Sequence, residues 1–150
     1  MSVNRDKLRE LILYLAQRSE ADPHFGRTKL NKLLFYIDFS HYARTGLAVT
    51  GEPYVKQPHG PVPAHVKKLL NEMEQSGDLR VVKRHHFTHV QERPKALREP
   101  DLSGFTGLEI ALASEIVQEL WPLSGADVSD EPPYRCVCGW PHRRGGRSAR

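Results

Sequence analysis

The chain carries eight histidines and two cysteines, the side chains best suited to metal binding and proton transfer. Three of the histidines, His85, His86 and His89, fall in the stretch RHHFTHV. On a strand, His85 and His89 share one face while His86 points to the other. No neighbouring carboxylate or cysteine completes a ligand set, so they read as strand residues beside Lys83 and Arg84. Cys136, Cys138 and His142 make C-x-C-x3-H, which lacks a fourth zinc ligand. Two cysteines this close rarely bridge each other, and they read as free thiols without a disulfide framework. Ser40 precedes His41, but adjacent helical residues diverge by about 100° and form no dyad. His59, in PHGPVP, has no acid at a fixed offset to orient it as a base. There is no G-x-S-x-G, no glycine-rich phosphate loop and no H-E-x-x-H. These residues lead us to expect a non-enzymatic protein with no metal and no cofactor.

The elements that would position such residues follow from apolar periodicity. Leu8, Leu11, Ile12 and Leu15 form one stripe of a first helix from about Arg5 to Arg18, with Asn4 as its N-cap. TKLNKLLFYIDFSHYA, residues 28–43, reads as a second helix between a Thr28 cap and Gly46. Leu30, Leu33, Leu34 and Ile37 line one side of it, with Phe35, Phe39 and Tyr42 opposite. A helix apolar on both sides is expected at the centre of the domain. The segment after it is rich in proline and glycine, with Tyr54-Val55-Lys56 as a short edge strand. A third helix is expected from Pro63 to Ser76, striped by Val66, Leu69, Leu70 and Met73 and closed by Gly77. DLRVVK then reads as a strand, and HHFTHV and KALRE as weaker ones around a QERP turn. Thr106-Gly-Leu-Glu109 is a capping box that opens a fourth helix, which Trp121-Pro122 closes. Ser124 could cap one further turn. The expected class is α+β and mainly helical, with four to five helices around a central apolar helix and a small antiparallel sheet.

The chain has 150 residues, enough for one domain. We expect that domain to span residues 1–134 and a basic, disordered Gly/Arg-rich tail to span 135–150. The net charge is +4, but Arg143, Arg144, Arg147 and Arg150 lie in the last ten residues, which hold no acid. The first 140 residues are therefore neutral overall, and nucleic acid is not expected as a partner. No apolar run approaches the roughly 20 residues of a membrane span, and the charged N-terminus has no signal-peptide core. A cytoplasmic protein is expected.

The stretch KLNKLLFYIDFSHYARTGLAVTGEPYVKQPHGPVPAHV, residues 29–66, resembles the Panacea domain family of SocA-like antitoxins from bacteria and their phages. Three features carry the resemblance in order: a K-L-x-K-L-L-F/Y-Y helix core, a T-G-x-x-x-T/V-G-x-x-Y turn and an x-x-G-P-V-P element. Farther on, the family's short helix with a Ser-His pair is replaced by VSDEPPY, with Asp130 in place of the histidine. The resemblance implies a compact, mainly helical domain that binds and neutralises a toxin protein, usually encoded beside it. It also implies that a protease complex is a further partner in at least one branch. A small DNA-binding transcriptional regulator is the alternative reading, since the third helix and the strands after it resemble a helix and wing.

Asn31, Lys32, Tyr36, Tyr54, His59 and Pro61 are the expected partner-binding residues, framing a half-exposed aromatic and polar surface. On this reading Phe35 and Phe39 lie under the first helix, the third helix or the sheet, and Lys32→Glu weakens the partner without unfolding the chain. Deleting the tail from Pro141 removes arginines and glycines but almost no core. The melting temperature is expected to change little. A fall of several degrees, worth roughly 1 kcal/mol or more, would mean that the tail packs against the domain.

Overall fold

The structure, a computed structural model, describes residues 3–58, 60–86 and 88–125. The elements run α1 (Arg5–Arg18), α2 (Arg27–Thr45), β1 (Tyr54–Gln57), β2 (Gly60–Pro63), α3 (Val66–Ser76), β3 (Leu79–His86), β4 (His89–Ala96) and α4 (Gly107–Glu119). The class is α+β and mainly helical. There are two antiparallel ribbons among the described residues, β1–β2 and β3–β4, where one small sheet was expected.

Local chemistry sets most helix ends. The Asn4 side chain accepts from Lys7 N at the start of α1. Thr106 and Glu109 form the reciprocal capping box of α4. Gly46 closes α2 in the left-handed region, at φ 78°, where a side chain would be strained. The start of α2 differs from expectation: Gly26 is the cap residue and Thr28 lies inside the helix. The start of α3 differs too, because Gly60–Pro63 pairs with Tyr54–Gln57 as a strand. Pro61 and Pro63 hold the residues before them extended, so the helix waits until Val66.

QERP is not a turn. It lies within β4, with Pro94 opposite Val81, and the chain reverses between His86 and His89. A proline is tolerated there because a two-stranded ribbon has an unpaired outer edge. The residues from 126 onward, including the expected turn after Ser124, Asp130, Cys136, Cys138, His142 and the tail, lie outside the described set.

One core holds the elements together. Leu8, Leu11, Ile12 and Leu15 of α1 meet Leu30, Leu33, Leu34 and Ile37 of α2, Leu69 and Met73 of α3 and Leu112, Ala113, Ile116 and Val117 of α4. The centre of this cluster is α2, which packs on α1, α4 and β2. Leu34 is fully buried. Its replacement by alanine is expected to cost about 2–5 kcal/mol in chemical denaturation, as a core cavity does.

Candidate partner-binding surface

Beside its apolar stripe, α2 also buries charged and polar side chains. Lys29, Lys32, Asp38 and His41 all lie in the interior. Each reaches toward a different segment, so α2 acts as a beam to which the irregular parts of the chain are tied. Lys29 Nζ pairs with Asp22 at 2.5 Å and donates to Trp121 O at 3.1 Å, joining the α1–α2 loop to the end of α4. Arg93 Nη1 donates to Asp22 O at 2.8 Å and brings β4 to the same loop. His41 Nδ1 lies 2.5 Å from Leu47 O, just beyond the helix end.

Asp38 fixes the proline and glycine segment. Its Oδ1 accepts from Thr50 N at 2.8 Å, and its Oδ2 accepts from Thr50 Oγ1 at 2.6 Å and Tyr54 OH at 2.7 Å. Burial raises the Asp38 pKa, and these donors pull against that rise. Burial, with the Asp38 charge beside it, raises Tyr54 far above the usual phenol range. The turn continues to Glu52, whose Oε1 accepts from His65 N at 2.6 Å. A carboxylate thus stands at the N-terminus of α3, where no side-chain cap exists and the helix dipole favours negative charge.

The β1–β2 ribbon settles on α2 with Tyr54 and Pro63 opposite each other on one face. Gly60 adopts φ 112° and lies against Lys32 Nζ, so a Cβ there would overlap the ammonium. Glycine is needed for conformation and for closeness alike. Burial lowers the Lys32 pKa.

The six expected partner residues do not form one exposed surface. Lys32 is 5% and Tyr36 3% exposed. Both are buried because the ribbon closes over α2, which a helical projection of α2 does not contain. Asn31, Tyr54 and Pro61 are half-buried at the same junction. His59 lies outside the described residues.

The exposed residues are others. Phe39 is 37%, Tyr42 54%, Leu47 60% and Val55 49% exposed. Phe39 stacks on half-buried Phe35 at 5.8 Å between centroids, and Phe35 meets Tyr54 edge-on at 5.2 Å. An aromatic strip therefore runs along α2 beside β1. The expectation that Phe39 is covered by helix or sheet is wrong: the ribbon lies over the Lys32–Tyr36 side and leaves Phe39 and Tyr42 open. The signal was present in the sequence as a second apolar stripe, but nothing in that stripe says which half the ribbon covers.

Residues 30–131 match the family described as antitoxin SocA-like, Panacea domain. The chain belongs to this family. No curated protein and no solved structure matches it. The role that goes with a Panacea domain is that of an antitoxin, which implies a toxin as partner. No helix among the described residues is long and apolar enough to cross a membrane. The geometry gives the motifs of this Panacea domain physical work. Lys29 and Lys32 of KLNKLLFY are buried ties, Thr50 and Tyr54 of TGLAVTGEPY hold Asp38, and GPVP is the strand that closes over Lys32.

Two variants test this junction. Lys32→Glu is expected to lower stability by about 2 kcal/mol or more, by forcing a carboxylate into a buried site, and so corrects the neutral outcome expected from sequence. Tyr54→Phe removes a hydrogen bond to a buried carboxylate and is expected to cost roughly 1.5–3 kcal/mol near neutral pH. The lost donor stabilises ionised Asp38, so the variant raises the folded pKa further. Its penalty is full where Asp38 is charged and shrinks as pH falls through the folded pKa. Denaturation of both proteins from about pH 7.5 down to 4 measures this, and a pH-independent difference would contradict it.

Proposed function

We propose that the chain is a non-enzymatic antitoxin that neutralises a cognate protein toxin by direct binding. The toxin is encoded beside it, and the pair acts in the cytoplasm of a bacterium or of a phage-infected cell. The observation that carries the binding mode is the aromatic strip along α2, in which Phe39 and Tyr42 are exposed beside half-buried Phe35, with exposed Leu47 just past the helix end. Aromatic residues supply large contact area at low entropy cost and dominate binding energy at protein interfaces. The strip is fixed from behind by Tyr54 and the Asp38 network, so little order has to be gained on binding. Hand-over of the bound toxin to a protease complex is compatible with this mode and uses the same surface.

The test is co-expression with the product of the adjacent reading frame. Phe39→Asp with Tyr42→Asp alters two exposed side chains and is expected to change stability by about 1 kcal/mol or less, since surface substitutions rarely cost more. Rescue of growth should be lost, with toxin affinity reduced by roughly 2 kcal/mol or more, as for interface hot spots. Full rescue by this variant would place the toxin surface elsewhere.

A further inference from the structure

We propose that the outer face of the β3–β4 ribbon binds the phosphate backbone of double-stranded DNA, at a site separate from the aromatic strip. The neutrality of residues 1–140 conceals a strong asymmetry. Residues 79–96 carry Arg80, Lys83, Arg84, Arg93 and Lys95 against one acid, Glu92. The compensating charge sits in residues 97–140, with eight acids and two cations. Folding keeps the cations together on one ribbon.

Pairing register then sorts them by face. Leu79 and Val81 pair with Ala96 and Pro94 on the side that packs on the core. Glu92 is on that side too, opposite Lys83, and pairs with Arg27 at 2.7 Å. Arg80, Val82 and Arg84 share the other face with Gln91, Arg93 and Lys95. That set has four cations and no acid; Arg93 is buried at 9% exposure, which leaves Arg80, Arg84 and Lys95 toward solvent. Arg80 stands directly opposite Lys95, and Arg84 is diagonal to Arg93. Like charges so placed destabilise a ribbon unless an anion lies over them. Burial lowers the Arg93 pKa, and the proximity of Arg84 adds to that lowering.

Local acids relieve this at Lys95 alone among the exposed cations of the face. A groove of about 580 Å³ runs beside Val82, Arg84, Arg93 and Lys95, and Glu20 and Glu99 on its rim are already engaged. Glu20 lies 3.7 Å from Lys95, and Glu99 accepts from Gln17 at 2.8 Å. Arg93 spends two nitrogens on the carbonyls of Asp22 and Glu20. Arg80 and Arg84 are exposed and have no carboxylate partner among the described residues.

The chemistry of this face selects its ligand. A protein interface needs an apolar or aromatic centre that can be dried. This face has only Val82, whereas the α2 strip has that centre in full. Arg80 and Arg84, two exposed cations about 13 Å apart along β3, with Lys95 beside them on β4, can reach separate phosphates of a polyanion whose charges recur every ~3.4 Å of axis on each strand. Nothing on the face reads bases, so binding is expected to be independent of sequence.

The full-length chain should be titrated against a labelled duplex of about 20 base pairs, of arbitrary sequence, at roughly 50 and 200 mM salt. Wild type is expected to bind with strong salt dependence. Arg80→Glu with Arg84→Glu should weaken binding at least about tenfold at the lower salt and reduce the log–log salt slope by roughly 2. The neutral pair Arg80→Gln and Arg84→Gln takes its place should the reversed pair fail to fold. Serine at Arg143, Arg144 and Arg147 should leave most of the affinity intact, and the hairpin variant should still rescue toxin-expressing cells. The proposal is overturned if wild type does not bind the duplex, if the hairpin variants bind as wild type does, if only the tail variant loses binding, or if poly-glutamate binds more tightly than DNA.

Discussion

A single buried carboxylate holds the irregular segment that crosses α2 in place. Asp38 sits in the central helix, and its two oxygens accept three hydrogen bonds from Thr50 and Tyr54. The segment so held has no regular structure of its own beyond a ribbon of two four-residue strands, and prolines deny it several backbone donors. It is ordered by what it is attached to. Asn4 N donates to Thr50 O at 2.9 Å, so the start of α1 depends on the same turn. Glu52, two residues on, reaches the start of α3. Removing the carboxylate would leave two hydroxyls and a buried amide without their acceptor and release three elements together.

Buried charge recurs along α2 with the same logic. Lys29 joins the α1–α2 loop to the end of α4, and Lys32 is covered by the ribbon at Gly60. A desolvated charge is costly unless it is paired, so each such group ties the chain to one arrangement of its neighbours. In this protein the ties converge on the helix that also carries the exposed aromatics. Rigidity at the back of the helix and exposure at its front are thus two consequences of one packing scheme.

The two outward surfaces differ in chemistry. The α2 strip offers rings that can be dried against a partner, while the β3–β4 ribbon offers cations that stay hydrated until a polyanion replaces the water. A toxin held on the first and a nucleic acid on the second would not compete for the same side chains.

Much of this was legible in the sequence. The stripe of Leu8, Leu11, Ile12 and Leu15, the Asn4 cap, the Gly46 stop and the capping box at Thr106 are set within a few residues of chain, and all appear as read. The family is legible for a similar reason, since its motifs are short and contiguous. The exposure pattern of α2 was not. Lys32 and Tyr36 look exposed on a helical wheel and are buried, while Phe39 looks buried and is open. The QERP segment has turn composition but is held as a strand by pairing with β3. Local periodicity fixes which residues share a face of a helix or a strand. Which face is covered depends on contacts between segments far apart in the chain, and the same holds for charge: the cations cluster in residues 79–96 already in the sequence, and only the pairing of β3 with β4 decides which of them share a face.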